Sequence, residues 1–190
     1  INAGSIVIRS ESSDTLDAES ESGAGGLGVL LAASVVNDAD ATTTTQVAGT
    51  LRAATVDIDA KHTTDFQGTA DSTSASVAGY SGAWVTNTVD NTTKVELLNG
   101  TRIENAQTVD IDAETRVIKG SAGADWTVQA ASGGILSGAS GASYSTIRND
   151  TDVLIGSNAF IDARVAGLNA GAIRIGAKND VDVYDAVLLD

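Results

Sequence analysis

The chain has 190 residues, 42% of them apolar, and carries 25 acidic against 11 basic residues for a net charge of −14. That length suffices for one domain with its own core, while the charge argues against nucleic acid and anionic membranes as partners, because phosphate contacts require a basic face. No apolar run approaches the ~18 residues of a membrane-spanning helix, so no membrane insertion is expected. Cys is absent, which leaves the redox compartment open. With no initiator Met and no signal peptide, the chain reads as a fragment or processed part of something longer.

Period-2 alternation and β-branched residues predict strands, and the strands recur. In chain order, an opener at 5–10 is followed by a strand at 29–37, a Thr/Val strand at 42–47 and a short one at 50–51. The series begins again at 56–60, 76–89, 92–98 and 101–103, then at 108–113, 135–147, 151–155 and 159–161, and once more at 172–177. Gly, Asn, Asp and Ser clusters separate these segments, and no capped 3.6-residue periodicity predicts a helix.

The openers carry the repeat. Val56-Asp57-Ile58-Asp59-Ala60 and Val109-Asp110-Ile111-Asp112-Ala113 are identical and begin 53 residues apart. Ile6-Val7-Ile8-Arg9-Ser10 lies 50 residues before the first, and Ile173-Arg174-Ile175-Gly176-Ala177 lies 64 after the second. Val35 falls on Val85, Asn37 on Asn87 and Asp40 on Asp90, and Gly49-Thr50 falls on Gly100-Thr101 after one inserted residue. In the third unit Gly82-Ala83 falls on Gly141-Ala142, Asn91 on Asn149 and Ile103 on Ile161. The units are 5–54, 55–107, 108–171 and the start of a fourth at 172–190; the third is enlarged by a Gly/Asn/Ala stretch at 164–171, read as a loop on one edge.

Such a period predicts an all-β chain, a single right-handed parallel β-helix (β-solenoid) segment over 1–190 built from about 50-residue repeats. Val56/Val109/Ile173 and Ile58/Ile111/Ile175 form its inward ladders, with the Asp side chains outward. At least one of the pairs Asn37/Asn87 and Asn91/Asn149 is expected inward or at a corner, where stacked amides hydrogen-bond along a ladder. Each repeat makes either two narrow coils or one wide one. At one coil, Asp57 and Asp110 lie about 4.8 Å apart and repel by on the order of 1 kcal/mol in water. Two-coil spacing, or a divalent cation between the Asp pairs, is therefore expected.

At Asn91-Thr92-Thr93-Lys94-Val95, Asn99-Gly100-Thr101 and Thr108-Val109-Asp110-Ile111-Asp112-Ala113, followed by the Gly/Ala-rich 130–142, the sequence resembles the repeating unit of very large bacterial surface adhesins. These are the filamentous-haemagglutinin and leukotoxin-type filamentous adhesins. The resemblance covers nearly the whole chain; the expanded third unit and 118–129 depart from it. It implies an exported, extracellular β-helical stalk at the bacterial cell surface, with no catalytic residues to carry over. The partners to expect are neighbouring repeats or other copies stacked end to end, and a host or glycan surface. Neither end of the chain reads as a capping helix.

Candidate chemistry rests first on Asp57/Asp59 and Asp110/Asp112. Each pair sets two carboxylates on one strand face, a spacing open to glycoside chemistry or to Ca²⁺. Because the pair recurs with the structural period, whereas an active site occurs once, a solvated face is the favoured reading. The chain is read as no enzyme, with no cofactor expected and Ca²⁺ as the one candidate ligand. His62, the only histidine, has no second His or any Cys to complete a zinc site and is read as a surface or loop residue. Gly23 to Gly28 lacks the Gly-Lys-Ser/Thr ending of a phosphate loop and a following helix, and is read as corner or close-packing glycines. Thr42 to Thr45 and Thr92-Thr93 raise an ice-binding array, broken by Lys94 and Asp152. Trp84, Trp126, Tyr80 and Tyr144 raise sugar stacking, and with it the alternative of a carbohydrate-binding or carbohydrate-active β-helix.

Overall fold

A computed structural model of the chain describes residues 1–120, 127–164 and 171–190. Trp126 and most of the 164–171 stretch lie outside them. The described residues form an all-β, helix-free structure of nine strands in one sheet: β1 (Asn2–Val47), β2 (Thr50–Leu97), β3 (Arg102–Glu104), β4 (Thr108–Lys119), β5 (Val128–Gly133), β6 (Leu136–Ile155), β7 (Phe160–Ile161), β8 (Ala172–Val183) and β9 (Val187–Leu189). All eight pairings between them are parallel. The chain thus pairs with its own next repeat: Ile6 with Val56, Val56 with Val109, and Val109 with Ile173.

This register corrects the expected two-coil spacing. Asp57 is the direct partner of Asp110, so one repeat makes one circuit. Two alignments shift as well. Thr50 pairs with Arg102 rather than Thr101, and Gly82-Ala83 pairs with Ser140-Gly141. Asn91↔Asn149 and Ile103↔Ile161 stand as read. The separate strands expected within each unit are fused. Strand β1 runs through the acidic, Ser-rich 11–22 because its backbone stays in parallel register with β2 there, whatever the side chain.

Contacts across the interior show how a circuit closes. Ser10 Oγ donates to Thr44 O (3.2 Å), Thr45 Oγ1 to Asp59 O (2.6 Å), Asn37 Nδ2 to Gln67 O (2.8 Å) and Ser81 Oγ to Ala131 O (2.8 Å). Each circuit therefore has an outbound arm and a return arm facing each other. In the second circuit these are residues 55–74 and 81–97, joined by an exposed tip at 75–80. A left-handed corner follows the return arm: Gly49 (φ 86°), Gly100 (φ 75°) and, two residues before Phe160 as Gly100 is before its partner Arg102, Asn158 (φ 59°). Left-handed backbone costs an ordinary residue energy, and Gly and Asn tolerate it best.

The space between the arms is thin, and its side chains alternate in kind along the arm. Next to the corner lies an apolar cluster with Val56, Ile58, Val95, Leu97 and Ile103. A smaller one follows around Phe66, Val89 and Val117, and a third of small residues, Ala70, Ala83, Val85 and Val128, lies toward the tip. Polar side chains fill the gaps between these clusters and form two seams that run from circuit to circuit. Asn37 and Asn87 are buried in the seam nearer the tip. There Asn37 Nδ2 donates to Asn87 Oδ1 (2.9 Å) and Asn87 Nδ2 to Ser145 Oγ (3.1 Å). Asn91 Nδ2 donates to Asn149 Oδ1 (3.2 Å) in the other. Both Asn pairs are inward, where at least one was expected.

Candidate functional site: stacked charges outside, polar seams inside

Inward and outward roles follow from parity. On the second outbound arm, Val56, Ile58, Ala60, His62, Thr64 and Phe66 point inward, and Asp57, Asp59 and Lys61 point outward. The outward face of the openers is a grid. One column reads Val7, Asp57, Asp110, Arg174, and the next reads Arg9, Asp59, Asp112, Gly176. Four carboxylates are thus held between two guanidinium groups at diagonal corners. Arg9 Nη2 is 2.5 Å from Asp59 and 3.6 Å from Asp57; Arg174 lies 3.7 Å from Asp110 and 3.4 Å from Asp112. Gly176 leaves room for the Asp112 carboxylate: a Cβ on it would fall 2.5 Å from Asp112 Oδ1 and would displace that group. The repeat alignment alone puts Arg174 in the Asp57/Asp110 column, and it puts Arg9 of the first opener in the Asp59/Asp112 column in the same way.

Two carboxyls of the grid are pushed above their ordinary range. Asp57 is raised by burial first and then by Asp59, and Asp112 by burial and then by its contact with Asp110. Beside the grid, Arg9, Glu11, Asp59, Lys61, Asp112 and Glu114 line a cleft of ≈ 260 Å³. Charges of both signs alternate there. Among the described residues no group of three or more His, Cys, Asp or Glu is arranged to hold a metal ion. The guanidinium groups supply the countercharge that a cation would otherwise bring.

His62 corrects the surface reading. It is inward and 1% exposed. Its Nδ1 is 2.7 Å from Ser12 Oγ and its Nε2 is 2.9 Å from Thr64 Oγ1; these hydroxyls satisfy a neutral ring in either tautomer. Asp14 Oδ2 lies 3.7 Å from Nε2. Ser12, His62, Thr115 and Asn179 form one inner column, opposite Thr43, Thr93 and Thr151. Hydrogen bonds Ser12–Thr43, Thr115–Thr93 (2.8 Å) and Thr151–Asn179 (2.5 Å) cross between the arms. The Thr array is thereby halved: Thr43, Thr45 and Thr93 are buried in the core. Burial holds the imidazole below its ordinary pKa, against a smaller opposing pull from Asp14.

Lys119 is the second inward ionisable group that composition did not reveal. Its ammonium donates to Ser145 Oγ (3.1 Å) and Ser143 Oγ (3.3 Å), pairs with Asp185, and lies 5.8 Å from the Phe66 ring centroid. Asp185 also accepts from Ser143 (2.6 Å). The seam begun at Asn37 thus ends in an ion pair that ties the third circuit to the fourth. Counting alternate residues from Val56 and Val109 places His62 and Lys119 inward, and that count was the available signal for both.

Of the aromatic candidates, Tyr80, Trp84 and Tyr144 sit on the outer face toward the tip. The far end of the Trp84 ring covers Gly82, and the edge of the Tyr80 ring lies over Gly138 with its hydroxyl donating to Ser140 Oγ (2.5 Å). Tyr144 is exposed and stands two residues after Ala142, the partner of Trp84, on β6. No family model, no curated protein and no solved structure matches this chain.

Two outcomes follow. Because Asp57 and Asp112 are raised, their ionisation destabilises the fold as pH climbs from about 3.8 through the raised values. Asp57→Asn combined with Asp112→Asn is expected to raise Tm by a few degrees at pH 7, with the gain closing by pH 3; an unchanged or lower Tm at pH 7 contradicts it. For His62 the sign is opposite. The unfolded chain takes up a proton near pH 6.5 that the folded ring resists, so stability is full above that pH and falls below it, by at most about 1.4 kcal/mol per pH unit. Urea unfolding of wild type and His62→Gln between pH 8 and 5 should show this extra loss in wild type alone. Parallel curves would remove the role given to His62.

Proposed function

We propose that this chain is a segment of a right-handed parallel β-helix that serves as a structural and adhesive stalk of an extracellular bacterial surface fibre. The observation that supports this reading most is the in-register pairing of each repeat with the next. A fold that grows by adding identical circuits suits reach and rigidity. The outward chemistry repeats with the circuits instead of gathering into one unique constellation, which favours a non-enzymatic role. The edge of β1 that faces away from β2 has no strand partner among the described residues. In the proposed fibre a further circuit, of the same chain or of another copy, covers that edge; this is the end-to-end stacking partner.

A carbohydrate-binding role is the second reading. It is favoured by Tyr80 and Trp84 lying along the outer face over glycines instead of projecting from it. Rings held this way offer faces on which a sugar can stack. Antibodies raised against this chain test the leading reading on intact producing cells. Label on thin projections without permeabilisation is the expected result. Label that appears only after permeabilisation would refute an extracellular stalk.

A further inference from the structure

The tips break the rule that governs the other outward positions. Leu27, Leu30, Val77, Tyr80, Ile135 and Leu136 stand at the tips of three successive circuits and are between 41% and 85% exposed. Leu30 is the partner of Tyr80, Ala78 of Leu136, and Leu27, Val77 and Ile135 immediately precede the aligned Gly28, Ala78 and Leu136. They therefore make one apolar ridge, with two large side chains per circuit at a step of about 4.8 Å. Exposed Gly25, Gly26, Gly133 and Gly134 flank it and let another surface come close. Contiguous exposed apolar patches of this kind mark association surfaces.

The charge distribution says what can meet it. No Asp, Glu, Lys or Arg occurs in 22–37, 72–89 or 127–147, although the chain carries −14 overall. Along the acidic arms, two copies approaching each other bring carboxylates together. At the tip they bring none. A ridge whose contacts repeat once per circuit is also matched along its whole length by another ridge with the same step. We infer that the tip ridge is a lateral self-association surface, on which a second copy of this chain packs ridge to ridge in an isologous contact. A standard interface takes roughly 800 Å² from each partner. Three circuits of a narrow ridge offer less, so the contact is weak for this chain and strengthens as circuits are added.

This surface is distinct from the stacking ends of the proposed fibre, and the two are separable. Sedimentation equilibrium of the chain up to millimolar concentration should show a reversible dimer. Small-angle scattering should show the long dimension of the cross-section doubled, not the stack thickened. Leu27→Lys combined with Ile135→Lys should weaken the dimer at least tenfold, with the circular dichroism spectrum unchanged. Tyr184→Lys, exposed and away from the tip, should leave it intact. A wild type monomeric throughout, or a dimer that survives the double substitution, overturns the inference. So does a wild type that stays monomeric in buffer but sediments with phosphatidylcholine vesicles, because lipid would then be the occupant.

Discussion

Each circuit of this chain satisfies its backbone hydrogen bonds in the next circuit, at one register, and almost every other feature depends on that. In a parallel in-register stack a residue faces its own counterpart one repeat on. Whatever the sequence places at a position is thus multiplied into a column. Apolar residues become ladders, as at Val56, Val109 and Ile173. Buried polar residues would become columns of unmet hydrogen-bonding groups, at about 1–3 kcal/mol each, unless the column satisfies itself. Asn37, Asn87, Ser145 and Asp185 do so across four circuits, and the hydroxyls around His62 do so in the second seam. A slip of one residue would turn both seams outward and the carboxylates of the grid inward, so the seams hold the register that the backbone alone leaves free.

Outside, the same multiplication stacks charge on charge. The chain answers with opposite charges in adjacent circuits. All eleven Lys and Arg lie within 4.0 Å of a carboxylate, and nine reach to a neighbouring circuit: Arg9, Arg52, Lys61, Lys94, Arg116, Lys119, Arg148, Arg174 and Lys178. Most of these pairs are exposed and individually weak. Their effect is to cancel a repulsion that stacking creates. With the basic residues all engaged, the remaining acidity lies along the arms and the tips carry none. The surface is thereby divided into an acidic body and a neutral apolar rim.

Much of this was legible in the sequence because a repeat reports register directly. The identical pentads around Asp57 and Asp110 give the register of the ladders and of the outward grid; Val56, Val109, Ile58 and Ile111 are buried as expected, whereas Ile173 and Ile175, on the last circuit, are 49% and 44% exposed. Asp–Asp repulsion favours two-coil spacing only without Arg9, which closes the grid from the preceding circuit and makes one circuit per repeat tolerable. His62 was misplaced because its neighbours are polar, and polar surroundings in sequence look like surface. In a core this thin, polar layers are interior. The long strand through 11–22 was hidden for the same reason: its side chains carry no apolar signal, and its order comes from backbone pairing with β2. Segments 121–126 and 165–170, where the third unit departs most from the repeat, lie outside the described residues.

The central claim is that one repeat makes one circuit. Because the chain has no Cys, Asp57→Cys together with Asp110→Cys introduces the only two thiols. Direct parallel partners sit about 4.8 Å apart, inside the ~4.4–6.8 Å Cα separation that a disulfide spans, whereas an intervening coil would put them near 10 Å. Mild oxidation of the doubly substituted monomer should form an intramolecular disulfide, read by intact mass and thiol titration, with the β spectrum preserved. Two thiols that stay free in the folded monomer would contradict the single-circuit register and the account built on it.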